Sequence, residues 1–178
     1  MIDLKKIFTD ENPPSLQIDF SKSLWATDEL QNIFRRAKLS LNDVDFVVET
    51  DLELIFVECK NANRIDAVNP DAFNPLENKR IDNIARKYFD SLMFYHFLNK
   101  ATHKRKIFCY ILEAKLGSLT MRNQIKNILV DKLPFELQKQ NNFRNKMIDE
   151  FQVLSFDEWN LKFPDFPLQR LIAPICPN

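Results

Sequence analysis

The chain has 178 residues, 25 Lys and Arg against 25 Asp and Glu, and 45% hydrophobic residues that include 16 Phe. That length suits about one domain around one substantial core, taken as residues 1–178. The zero net charge argues against a protein that coats nucleic acid or an anionic membrane by bulk electrostatics.

A single glycine, Gly117, excludes the Gly-rich phosphate loops of P-loop and dinucleotide-binding proteins. Two histidines, His96 and His103, exclude a multi-histidine metal site. The three cysteines lack CxxC spacing, so neither a disulfide framework nor a zinc knuckle is indicated, and Cys59 and Cys109 read as reduced core residues. The N-terminus carries no secretory apolar run, and no stretch approaches the roughly 20 apolar residues of a membrane span. A soluble, cytoplasmic protein with no membrane partner is expected, and any chemistry falls to carboxylates and lysines.

Residues 1–24 read as irregular or partly stranded. In "TDELQNIFRRAK", Leu30, Ile33, Phe34 and Ala37 recur at helical spacing, with Thr27 placed to cap the helix. "LNDVDFVVET" and "DLELIFVECK" follow so closely that they read as a hairpin. Residues 61–77, rich in Asn and Pro, form a loop. From about Asn78 to Leu98 a long helix is marked by Ile81, Ile84, Ala85, Tyr88, Phe89, Leu92 and Met93. "KRKIFCYILEA" is a buried strand, and "SLTMRNQIKNILVDKL" a helix with Ser118 as cap and Pro134 at its end. The tail from "FQVLSFDEW" offers one strand and then Pro-rich coil. Helices alternating with strands in this way predict an α/β or α+β fold with a mixed sheet.

One detail does not belong in a buried strand: "DLELIFVECKN" ends in Glu58, Cys59 and Lys60. Alternation places Glu58 and Lys60 on one face and Cys59 on the other. On the preceding strand Asp43, Asp45, Val47 and Glu49 share a face. Opposed residues of an antiparallel hairpin point the same way with Cβ atoms about 4.5–5.5 Å apart, so register decides which acid meets Glu58. A tip at Thr50 and Asp51 puts Asp43 there; a tip at Asp51 and Leu52 puts Asp45 there. Glu49, roughly 13 Å from Asp45 along the strand, joins neither arrangement.

Two carboxylates beside a lysine suit a divalent-metal site for phosphodiester hydrolysis. Hard oxygens hold Mg²⁺ or Mn²⁺, and the ammonium can orient water or offset developing negative charge. The segment from Asp45 to "VECK" resembles the core of the PD-(D/E)XK nuclease superfamily, in which an Asp on one strand is followed, after a turn, by Glu-x-Lys on the next. The resemblance implies a restriction-endonuclease-like αβββαβ core, a central mixed sheet flanked by helices. It favours Asp45 over Asp43, and assigns Asp45 and Glu58 as ligands of Mg or Mn and Lys60 as the catalytic lysine.

Asp43 is then a spare or outer ligand. Lys87, on the helix after the hairpin, is a candidate polar contributor to the site, and Glu29 corresponds to a helical Glu found in some members. Val44 stands where the family name places a Pro, which many members lack, and "SLQIDFSKSLW" is the candidate for the first core strand.

The implied partner is nucleic acid, DNA before RNA, with a homodimer or a partner protein supplying recognition that so short a chain has little room for. A rival reading is a catalytically inactive module of the same fold that binds nucleic acid or protein. Plainer readings exist for the accessory residues: Lys87 as a solvated helix residue, Glu29 as an acid at a helix start, and "HKRK" at 103–106 with Arg35 and Arg36 as solvated surface. Frequent Asn, Lys, Ile and Phe hint at a low-GC bacterial genome.

Overall fold

A computed structural model describes residues 6–10, 16–62, 73–98, 103–115 and 117–171. Its elements are β1 (Ile7–Asp10), β2 (Leu16–Asp19), β3 (Trp25–Thr27), α1 (Leu30–Arg36), β4 (Phe46–Glu49), β5 (Glu53–Asn61), α2 (Asn78–Phe97), β6 (Arg105–Glu113), α3 (Leu119–Lys132), β7 (Glu150–Leu154), α4 (Phe156–Lys162) and β8 (Leu168–Arg170). The class is mixed α/β.

A five-stranded sheet runs in the order β3-β4-β5-β6-β7, and β1, β2 and β8 form a separate antiparallel sheet of three strands. Within the larger sheet, β3, β4 and β5 form an antiparallel meander, while β5, β6 and β7 are parallel. Parallel neighbours need crossovers, which α2 and α3 provide. Both helices cover the same face, as same-handed crossovers proceeding in one direction must.

Two apolar layers result. On the helical side, Leu54, Phe56, Phe108 and Tyr110 pack against Leu30 and Phe34 of α1, Ile81, Ile84 and Tyr88 of α2, and Ile125 and Leu129 of α3. The opposite face sets Ile55, Val57, Cys109 and Ile111 against Phe8, Ile18 and Leu168 of the small sheet and Phe156 and Trp159 of α4. Being covered on both faces explains why β5 and β6 read as near-continuous apolar runs.

Several expectations shift. "SLQIDFSKSLW" divides: Leu16–Asp19 is β2 of the small sheet, and the edge strand of the larger one is Trp25–Thr27, so α1 lies between the first two strands of that sheet and not before them. Thr27 does not cap α1; its hydroxyl accepts the Glu29 N–H at 3.1 Å, and Glu29 is the N-cap residue without a side-chain cap bond.

Ser118 does cap α3, accepting from the Met121 N–H. Of the loop expected at 61–77, Asn61 closes β5, residues 63–72 lie outside the described residues, and 73–77 precede α2 without regular structure. The described part of the tail, up to residue 171, is not all coil. Ser155 and Glu158 form a capping box that starts α4, and Asn160 grips both backbone groups of Leu168, setting β8 against β2.

The run "HKRK" is not solvated throughout either. Lys104 and Lys106 are both buried, and Arg105 spans Glu53 and Glu150. No helix among the described residues is long and apolar enough to cross a membrane.

Candidate functional site

The β4–β5 turn sets the register. Thr50 donates its N–H to the Glu53 carbonyl at 2.9 Å, and its hydroxyl accepts the Glu53 N–H at 2.9 Å, leaving Asp51 and Leu52 at the tip. Pairing then runs Glu49 with Leu54, Val48 with Ile55, Val47 with Phe56 and Phe46 with Val57. One step further, Asp45 stands opposite Glu58.

Here the β4 backbone has left the ladder, and the Asp45 carboxylate replaces it by accepting the Cys59 N–H at 2.7 Å. Helix α2 anchors the approach to this point. Ser91 Oγ accepts the Val44 N–H at 3.0 Å, and Asp90 accepts the Asn42 N–H at 2.9 Å. These two side chains hold the segment that carries Asp43 and Asp45, and they were not among the expected site residues. A signal existed: Ser91 lies on the otherwise apolar buried stripe of α2.

Glu58 is 9% exposed. Both of its oxygens accept hydrogen bonds from Lys87 Nζ at 2.8 Å, and the same ammonium lies 3.9 Å from Asp45 Oδ1. Asp43 is buried beside them.

Burial, joined by the charge of Asp45, pushes the Glu58 carboxyl up to about 8 against the pull of Lys87. Burial likewise raises Asp43, with Lys87 opposing. For Lys87, burial acts downward, but Glu58 and Asp45 outweigh it and the net shift is upward. Two carboxyl groups therefore share one ammonium, Asp43 lies buried within its electrostatic reach, and the surplus is acidic. Cys59 takes no part: it points to the other face, and burial raises its thiol well above the ordinary range.

Lys60 sits one step outward on the Glu58 face. Its ammonium lies 5.8 Å from the Phe73 ring centre, and the Arg80 guanidinium is 4.5 Å from the same ring. Glu29 is not brought in; its carboxylate accepts from Asn32 at 2.9 Å and lies 4.0 Å from Arg36. Of the six residues singled out in the sequence, Asp43, Asp45, Glu58 and Lys87 converge, Lys60 flanks them, and Glu29 stands apart. A cleft of about 410 Å³ lies between the β4–β5 end and the small sheet, bordered by Asp43, Asp45, Asn61 and Lys87 but not by Glu58 or Lys60.

No group of three or more His, Cys, Asp or Glu among the described residues forms a ready metal cage. The donor set available is the pair Asp45 and Glu58. That pair fits Mg²⁺ or Mn²⁺, ions commonly held by one or two carboxylates with water and substrate phosphate completing the shell. Comparison with known proteins returned no matching family model, no matching curated protein and no matching solved structure.

Proposed function

We propose that the protein is a divalent-metal-dependent nuclease of the PD-(D/E)XK kind that hydrolyses phosphodiester bonds, with DNA as the preferred substrate. The observation that carries this reading is the cross-strand meeting of Asp45 and Glu58 at the open end of the hairpin, with Lys60 two residues on along the same face. The antiparallel meander followed by a helical crossover to parallel β6 supports the corresponding αβββαβ core. The place of α1, between β3 and β4, departs from that order.

Asp45 and Glu58 would hold Mg²⁺ or Mn²⁺, which when bound would polarise the scissile phosphate and lower the pKa of the attacking water. Asp45 is held in position by the Cys59 N–H, and Glu58 by the rigid middle strand of the sheet. Lys60 follows two residues on along the same strand face, where its ammonium would orient the water and offset charge developing on the phosphoryl oxygens. Partial dehydration at Glu58 strengthens each of these interactions.

A second reading, a catalytically inactive module of the same fold, is favoured by one observation: both Glu58 oxygens are already occupied by Lys87. Cleavage separates the two. Supercoiled plasmid and single-stranded DNA are incubated with Mg²⁺ or Mn²⁺ and wild type, Asp45→Ala or Lys60→Ala at equal purity. Wild-type cleavage that chelator and both substitutions abolish supports the nuclease. Absence of wild-type cleavage supports the inactive module, and equal cleavage by all three sinks the assignment of residues.

A further inference from the structure

The position of Lys87 has a consequence for any ion that binds beside it. Its ammonium is 2.8 Å from each Glu58 oxygen and 3.9 Å from Asp45 Oδ1, and so fills the gap a divalent ion would need between the two acids. It comes from α2 and not from either strand that carries the acids, so it can leave without disturbing the hairpin. Two positive charges within about 4 Å in a poorly solvated place repel strongly, so ammonium and metal cannot share Glu58.

There is room to leave. The cleft of about 410 Å³ borders Lys87, Asp43 and Asp45, and a lysine stem has four rotatable bonds. There is also somewhere to go. Asp43 is buried within electrostatic reach of Lys87, yet the ammonium forms its ion pairs with Glu58 and Asp45.

We infer that Lys87 is an exchangeable internal cation. It neutralises the acid pair in the metal-free protein and swings from Glu58 towards Asp43 when a divalent ion binds. Asp43 is thereby the receiver of the displaced ammonium and a positioning residue, not a metal ligand. The inference rests on the metal site proposed above and adds that the grip of Lys87 on Glu58 sets its affinity. A site whose competent state is only partly populated binds more weakly by that fraction, so Lys87 acts as an intramolecular competitor.

The test is Mn²⁺ binding to the metal-stripped whole chain, measured by titration calorimetry at one fixed pH above about 8, where Glu58 has released its proton in the wild type. Lys87→Met, similar in shape but neutral, binds Mn²⁺ at least about tenfold more tightly than wild type, because the competitor is gone. Lys87→Arg binds more weakly, since a forked guanidinium holds both carboxylate oxygens at once. Asp43→Asn also binds more weakly, because the displaced ammonium loses its destination.

Lys132→Met removes the same charge from α3, on a side chain paired with Asp82 and outside the acid cluster, and stays within about twofold of wild type. The inference is overturned if Lys87→Met binds no more tightly than wild type, or if Lys132→Met tightens binding as much. Should Lys87→Met fail to fold, Lys87→Arg decides, and unchanged or tighter binding overturns the proposal. Wild-type binding without the Lys87 effect refutes the exchange alone. Failure of wild type and Lys87→Met alike to bind Mn²⁺ refutes the metal site, and the exchange with it.

Discussion

Two buried glutamates, one near each end of the β4–β5 hairpin, each meet a lysine, and the two pairs differ in kind. At one end Glu49 accepts from Lys104 Nζ at 2.9 Å, and the same ammonium donates to the Thr50 carbonyl at 2.5 Å. Both side chains are 9% exposed, and the pair is matched one acid to one base. At the other end Glu58 shares Lys87 with Asp45 while Asp43 lies buried within electrostatic reach, a cleft borders Asp43, Asp45 and Lys87, and Glu58 is pushed up to about 8. A closed ion pair buries a polar strand end. An acidic surplus beside a cleft is the arrangement on which the proposed site rests.

Substitutions sharpen that contrast. The largest effect falls on cleavage: Asp45→Ala and Lys60→Ala each lower the metal-dependent rate by at least about 10²-fold in a gel assay, the scale of losing one preorganised charge at a reacting centre. Next comes Glu49→Ala, which strands Lys104 and costs about 3–5 kcal/mol in urea denaturation while leaving the folded fraction competent to cleave.

Glu58→Gln then reveals a pH dependence. Because the folded-state value of Glu58 is raised from 4.5 to about 8, the folded protein holds a proton that the unfolded chain releases between those values. The contribution of Glu58 is therefore fully present below the unfolded value and is lost as the pH rises through the folded one. Urea midpoints of the metal-free wild type fall relative to Glu58→Gln between about pH 5 and 8; parallel curves would contradict the shift. The smallest effect belongs to Ser155→Ala, which removes one bond of the α4 capping box, costs about 1 kcal/mol and leaves cleavage untouched.

How much of this could be read without coordinates varies by region. The hairpin was legible because alternation is strict there and two dense apolar runs leave little room for another register. Alternation alone leaves Asp43 and Asp45 open, and only the family resemblance favours Asp45, because the register depends on hydrogen bonds of Thr50 that lie in the turn. Lys87 reads as surface because it stands one position before Tyr88, off the stripe of Ile81, Ile84 and Tyr88; a four-carbon stem carries its ammonium back into the site.

Helix α4 was missed although "SFDE" carries its capping box, because the prolines around it drew attention to coil. The burial of Lys104 was hidden by its place in a basic run, since only the tertiary fold brings Glu49 to it. Short strands such as β3, three residues long, leave too little periodicity to detect.

If Glu58 serves the proposed site and Glu49 only the framework, the two substitutions part company. Glu58→Ala and Glu49→Ala are assayed side by side for Mg²⁺- or Mn²⁺-dependent plasmid cleavage, with the folded fraction of each measured by circular dichroism. Folded Glu58→Ala is expected not to cleave, while Glu49→Ala melts at a lower temperature and cleaves in proportion to its folded fraction. Cleavage by Glu58→Ala at the wild-type rate, or loss of cleavage by fully folded Glu49→Ala, would contradict that division.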